Sequence, residues 1–129
     1  MTHEVFILVY AVILGLIHLV ITAAAARRQE GNLKWAAGPR DEPVVHTGMA
    51  GRLQRSFANF KETFVFFAVI IICLALRGRT NELSQLGATV YLVARILYIP
   101  AYAFGWPFRF AIWGVSMFGI VTCLIALLI

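Results

Sequence analysis

From Val5 to Ala26 the chain runs for 22 residues in which only Gly15, His18 and Thr22 interrupt apolar side chains. About 20 such residues in a helix cross the hydrocarbon core of a bilayer. In lipid, every backbone N–H and C=O must be satisfied within the protein, which leaves only helices or a closed barrel. This run and the apolar runs that follow it therefore predict an all-α integral membrane protein. The composition agrees: 61% of residues are hydrophobic, 13% are charged and the mean hydropathy is +0.85. A soluble domain carries about 25% charged residues. A cleaved signal peptide is the competing reading of the first run. However, Met-Thr-His-Glu lacks Lys and Arg, and the run exceeds the usual core of ~7–15 residues. An uncleaved first helix is expected.

Taken in order, 129 residues suit one domain, 1–129. It is expected to be an up-down bundle of four membrane helices near 4–26, 48–76, 82–104 and 107–129. Ala11, Gly15, His18 and Thr22 share one face of the first helix, a small and weakly polar stripe suited to close packing. His18 reads as a packed, hydrogen-bonded histidine, with a proton carrier as the alternative. The polar loop 27–47 holds Arg27, Arg28, Lys34 and Arg40, and Gly31, Gly38, Pro39 and Pro43 break regular structure. Gly78 is placed to end the second helix, and Thr80 or Asn81 to cap the third. Pro100 should kink the third helix late, and Gly105-Trp106-Pro107 makes a tight reversal.

The net charge of +5 does not point to nucleic acid, because the basic residues border apolar runs. By the positive-inside rule the basic first loop is cytoplasmic and both termini lie opposite. Cys73 and Cys123 fall within apolar helices and read as small buried hydrophobes. His46 is a lone loop histidine with no second ligand at metal spacing; no metal is expected.

The costly residues lie in two stripes. Arg52, Arg55, Asn59 and Glu62 recur at spacings of three and four, which puts them on one face of the second helix. Tyr91, Arg95, Tyr98 and Tyr102 do the same on the third. A charge at the centre of a membrane helix costs roughly 2.5–3.5 kcal/mol on insertion scales, so such residues are rarely idle. Arg109 stands in the first turn of the fourth helix, where the helix dipole favours an anion. It should therefore serve a neighbouring negative group, unless it snorkels to lipid phosphates. An up-down bundle brings both stripes and Arg109 to one end and one depth. The bland reading is a polar seam that glues helices together, and the sharp one is a site for a small, multiply charged ligand. Arg52, a turn earlier, reads as a headgroup contact.

Arg55-x-x-x-Asn59-x-x-Glu62, followed by Ala94-Arg95-x-x-Tyr98-x-x-x-Tyr102 and then Arg109, resembles the MAPEG superfamily, the membrane-associated proteins of eicosanoid and glutathione metabolism. The resemblance spans nearly the whole chain. It implies a homotrimer of four-helix bundles, with glutathione as thiol co-substrate in the seam between subunits. By position, it implies that Arg55, Asn59 and Glu62 hold the tripeptide together with Arg95, Tyr98 and Tyr102. Arg109 falls where the leukotriene-forming member has the arginine credited with activating the thiol. Arg27 or Arg28 stands near an arginine that members carry at the end of the first helix. The chain departs from the pattern at Thr63, where that member has a tyrosine, and at Phe57, which replaces a polar residue. Its compactness resembles bacterial members, which implies the inner membrane.

The chemistry of the residues is consistent with these roles. Glutathione offers two carboxylates for guanidinium groups, an amine for Glu62, and a thiol of pKa ~8.5 that a nearby cation shifts toward thiolate. The expected activity is glutathione-dependent transfer or peroxide reduction on a lipophilic substrate taken from the membrane lipids. The alternative is a non-catalytic membrane binding or scaffold protein on the same fold. A small four-helix drug exporter is disfavoured, because such proteins rely on an acidic residue in the first helix, where only His18 stands, and because Glu62 is surrounded by arginines.

Overall fold

The computed structural model describes residues 1–30, 37–39 and 45–129. Among the described residues, four long helices follow one another: α1 (His3–Glu30), α2 (Gly48–Arg77), α3 (Glu82–Ala103) and α4 (Arg109–Leu128). Each contains a window long and apolar enough to cross a membrane, and no strand occurs among the described residues. The chain is an all-α integral membrane protein. At 1.5 Å per residue, the 30 residues of α2 extend about 45 Å, well beyond the ~30 Å hydrocarbon core. A helix of that length either tilts in the bilayer or extends beyond its hydrocarbon core.

The helix ends follow local chemistry. Gly78 closes α2 in the left-handed conformation (φ 62°), and the Arg79 N–H reaches the Leu74 carbonyl at 3.0 Å, a Schellman closure. Asn81 caps α3 through a reciprocal box: its side chain accepts from the Ser84 N–H, and the Ser84 hydroxyl accepts from the Asn81 N–H. Gly105 (φ 68°) turns the chain between α3 and α4.

Two expectations change here. α1 continues through Glu30, so Arg27 and Arg28 belong to its last turn and not to a loop. The expected loop residues Lys34, Arg40 and Pro43 lie outside the described residues. The first helix also holds an acidic residue, Glu4, within the expected range 4–26, so His18 does not stand there alone. Glu4 is buried and accepts a hydrogen bond from the Ser84 hydroxyl at 2.8 Å, tying the start of α1 to the start of α3. At the other end of α1, the Gln29 side-chain amide pairs with the backbone of Thr47. It donates to the Thr47 carbonyl at 2.8 Å and accepts from the Thr47 N–H at 2.9 Å, holding the end of α1 beside the start of α2.

α1 packs on α2 and α3 without touching α4, whereas α2 touches all three others. Ala11, His18 and Thr22 form the buried face of α1. Ile7, Ala11, Phe67, Ile71, Leu74, Ala88, Tyr91, Ile120 and Cys123 build the apolar core. Cys73 and Cys123 are both free thiols. Without a hydrophobic drive between helices in lipid, close backbone approach decides which helices pair. α3 and α4 meet at Gly87 and Gly119. A Cβ on Gly87 would lie 2.7 Å from the Gly119 carbonyl oxygen and 2.8 Å from Cys123 Sγ, and a Cβ on Gly119 would lie 2.7 Å from the Gly87 carbonyl oxygen.

Gly119→Ala should therefore lower the melting temperature of the detergent-solubilised protein, by overpacking of about 1–3 kcal/mol. Gly114→Ala, whose Cβ meets nothing within 4 Å, should leave it unchanged or raise it through better helix propensity. Equal behaviour of the two variants in a thermal unfolding assay would contradict the Gly87–Gly119 crossing.

Candidate functional site

At the end of the bundle where α2 begins, α3 ends and α4 begins, a hollow of about 340 Å³ is lined by Arg55, Ala58, Asn59, Glu62, Tyr98, Tyr102 and Arg109. Three helices contribute, and each contribution follows from helical spacing. Arg55, Asn59 and Glu62 are successive steps along one face of α2. Tyr98 and Tyr102 are one turn apart on α3, and Arg109 opens α4 just after the reversal. Ala58 was not singled out from the sequence. It lies on the same α2 face as Arg55 and Glu62, and its small side chain leaves room between them.

Tyr102 organises the charges. Its hydroxyl accepts a hydrogen bond from Arg55 Nε at 3.2 Å. The Arg55 guanidinium carbon lies 5.8 Å from the ring centroid, and the Arg109 guanidinium sits over the ring at 4.3 Å. Tyr98 meets Tyr102 edge to face at 5.7 Å. Among the described residues neither arginine is ion-paired, with Glu62 or with any other carboxylate. Arg55, Glu62 and Arg109 are all exposed, so the hollow presents two guanidinium groups and one carboxylate to whatever enters it.

The structure separates other members of the two stripes from the hollow. Arg95 is buried behind the wall, with its guanidinium over the Tyr98 ring at 4.2 Å. Tyr91 lies in the core, stacked on Phe67 at 4.1 Å and hydrogen-bonded to Thr63 at 3.1 Å. Thr63 therefore faces α3 and not the hollow. Phe57 turns toward α1, its ring 5.1 Å from that of His18, and the Lys61 ammonium lies over the Phe57 ring at 4.9 Å. Arg52, expected at the headgroups, donates from Nε to the Ala103 carbonyl at 2.7 Å. It thereby satisfies an end-of-helix acceptor of α3 next to Tyr102. His18 is packed as expected, but the expected hydrogen bond is missing: neither ring nitrogen has a protein partner.

A second hollow, of about 300 Å³, runs between α3 and α4 along Val93, Leu97, Ile112 and Val115. Its lining carries no charged group. No group of three or more His, Cys, Asp or Glu residues is placed to hold a metal among the described residues.

The profile that matches this chain is described as the MAPEG family, and the match covers residues 5–129. No curated protein matches the chain.

Tyr102→Phe removes the hydroxyl that accepts from Arg55 and keeps the ring beneath Arg109. It should cost about 0.5–1.5 kcal/mol, the net worth of such a bond. Tyr102→Leu also removes both cation–ring contacts, each worth about 0.5–2 kcal/mol, and should cost visibly more. Melting temperatures of the two variants, compared with the parent, test this ranking.

Proposed function

The chain belongs to the MAPEG family, membrane proteins of eicosanoid and glutathione metabolism, and from that membership we propose that it activates glutathione for attack on a lipophilic electrophile or hydroperoxide. The observation that carries this reading is the convergence of Arg55, Asn59, Glu62, Tyr98, Tyr102 and Arg109 on one hollow with two unpaired guanidinium groups. Its volume of about 340 Å³ falls in the range of small-molecule sites, roughly 300–1,000 Å³. Glutathione bears two carboxylates and one ammonium, which complement two arginines and a glutamate.

The mechanism uses the charges in sequence. Arg55 holds a carboxylate, Asn59 an amide group, and Glu62 the amine. Arg109 faces the sulfur and stabilises it as thiolate; each tenfold gain in thiolate fraction needs about 1.4 kcal/mol. The thiolate attacks the electrophile, the S–H proton having left to water at the open side of the hollow, and a proton returns to the product's leaving oxygen or carbon. In peroxide reduction, the thiolate attacks the distal oxygen and the O–O bond breaks. A second glutathione then resolves the sulfenic acid to a disulfide and water.

The hollow is open on the outer face of α2, and that face repeats in heptads. Arg55, Ala58, Glu62, Val65, Val69, Ile72 and Leu76 alternate spacings of three and four, and all are exposed in a single chain. This is the pattern of a seam that fits another helix by knobs-into-holes packing. Val65 to Leu76 suit a tight contact. Arg55 and Glu62 on the same face carry charges that hydrocarbon solvates poorly. The proposed assembly is a homotrimer joined along this seam, apolar contact below Glu62 closing it and the charged half opening as a cleft for ligand. The arginine-rich end is proposed to face the cytoplasm of a bacterium, where a water-soluble thiol meets a membrane-borne partner.

Calorimetry with glutathione on the purified protein should detect binding, and Arg55→Ala should weaken it. Arg109→Ala should retain binding but lower kcat for a standard electrophile by about 100-fold, the order expected for loss of one charge-stabilising donor. Full-rate conjugation by both variants would reject the site. Absence of any glutathione binding would favour the non-catalytic alternative.

A further inference from the structure

The groove between α3 and α4 takes no part in the chemistry proposed above. Its walls are Val90, Val93 and Leu97 of α3 and Ile112 and Val115 of α4, with Ala94 between them. Val93 (50%), Leu97 (47%) and Val115 (49%) are half exposed, whereas Ala94 is only 3% exposed. The small side chain of Ala94 therefore forms the floor and the larger ones the rims. Among the residues that line the groove only Thr89 is polar, and its hydroxyl is already engaged. It donates to the Gln85 carbonyl at 2.8 Å and is hydrogen-bonded to His3 Nε2 at 2.8 Å. Along α3 the lining runs from Thr89 to Leu97, eight residue steps or about 12 Å, clear of both ends of the helix.

What fills the groove follows from where it lies. α3 and α4 are both long and apolar enough to span the membrane, and a membrane helix tilts by about 20° on average. The groove therefore runs close to the bilayer normal, the direction that lipid chains take, and it is continuous with the lipid-facing surface of both spans. Water is no candidate, because an ordered water needs two to four polar partners and the one hydroxyl is taken. Nor can a second copy seat a helix there. A helix with its side chains is about 10–12 Å across, so a length of about 12 Å occupies roughly 1,000 Å³. The groove holds about 300 Å³. Left empty, its walls would lack partner atoms on one side and forfeit dispersion contacts. A flexible hydrocarbon chain meets every one of these conditions.

We propose that this groove is a binding site for one hydrocarbon chain of a membrane phospholipid, seated on Ala94 between Val93 and Leu97 on one side and Ile112 and Val115 on the other. Lipid tails are as apolar as these walls, so the hydrophobic effect does not distinguish the groove from the surrounding bilayer. Selection comes from contact. A chain in the groove is touched on its floor and both walls, whereas a chain beside a convex helix face is touched on one side. No charged residue lines the groove, so the chain is recognised and the headgroup is not. The site is separate from the hollow of Arg55 and Arg109 and does not rest on the thiol-binding reading.

The test uses the full-length protein in phosphatidylcholine vesicles doped with a phosphatidylcholine that carries a diazirine midway along one chain. After irradiation and digestion, mass spectrometry locates the adducts. Ile13, Ile96 and Val121 serve as the comparison, since each is 47% exposed and none lines the groove. Val93, Leu97 and Val115 should be labelled about threefold or more above them, the contrast between Leu97 and its neighbour Ile96 being the sharpest because both lie at one depth. Ala94→Leu raises the floor and should bring groove labelling down to the comparison level. Val115→Phe, which adds bulk at a half-exposed rim, should do the same. A phosphatidylglycerol with the same diazirine chain should label the groove equally. Groove labelling no higher than at the comparison residues means ordinary bilayer contact and overturns the site, as does labelling that a folded filling variant leaves unchanged. An unlabelled groove, covered by a second copy, overturns it too, and dependence on the headgroup overturns recognition of the chain.

Discussion

The contact on which the rest depends is the close crossing of α3 and α4 at Gly87 and Gly119. A bilayer supplies no hydrophobic force to bring two apolar helices together, so pairing falls to van der Waals contact wherever backbones can approach. Two glycines make that approach possible midway along α4, and the short reversal through Gly105 joins the two helices at one end. Held at its middle and at its start, the first half of α4 has little freedom to rotate against α3, and its first residue, Arg109, is delivered over the ring of Tyr102. The hollow is thus a consequence of helix packing some distance away from it.

Much of this was legible in the sequence because membranes simplify the reading. Long apolar runs dictate helices, and spacings of three and four reveal which polar residues share a face. Arg109 was conspicuous because a cation at a helix start lacks a favourable dipole. Periodicity gives a face but neither its depth nor the tilt of the helix. The stripe from Tyr91 to Tyr102 rises by eleven residue steps, about 16 Å along the axis, so its two ends meet different surroundings. Tyr102 and Tyr98 reach the hollow, Arg95 falls behind it, and Tyr91 joins the core with Thr63. Arg52 illustrates a second limit: an end-of-helix carbonyl such as that of Ala103 is invisible until the fold brings the two together. Glu4 and Ser84, 80 residues apart, illustrate the same limit at the opposite end.

The departures at positions 57 and 63 also take on a physical meaning. Neither side chain lines the hollow. Thr63 exchanges a hydrogen bond with Tyr91 inside the bundle, and Phe57 packs its ring on His18. Substitutions there change how α2 sits against α1 and α3, and so reach the hollow only through the backbone that carries Arg55, Asn59 and Glu62.

The way the arginines are held bears on how the site can respond. A guanidinium locked to a carboxylate in a low-dielectric site must lose that partner before it can take another, and breaking a buried pair is expensive. Arg55 and Arg109 are instead held by one phenol ring, through a single hydrogen bond and two face contacts worth about 0.5–2 kcal/mol each. A charge-assisted, bidentate contact with an incoming carboxylate or thiolate outweighs such stacking. The ring therefore keeps two cations in position without neutralising them, and Glu62 stays available for a group of opposite sign. A hollow built this way discriminates by charge pattern: an anion without an amine leaves Glu62 unanswered, and a neutral lipophile leaves both arginines where they are. Under the proposed function, selection of a zwitterionic, carboxylate-rich ligand would rest on what the wall leaves unpaired, more than on its shape.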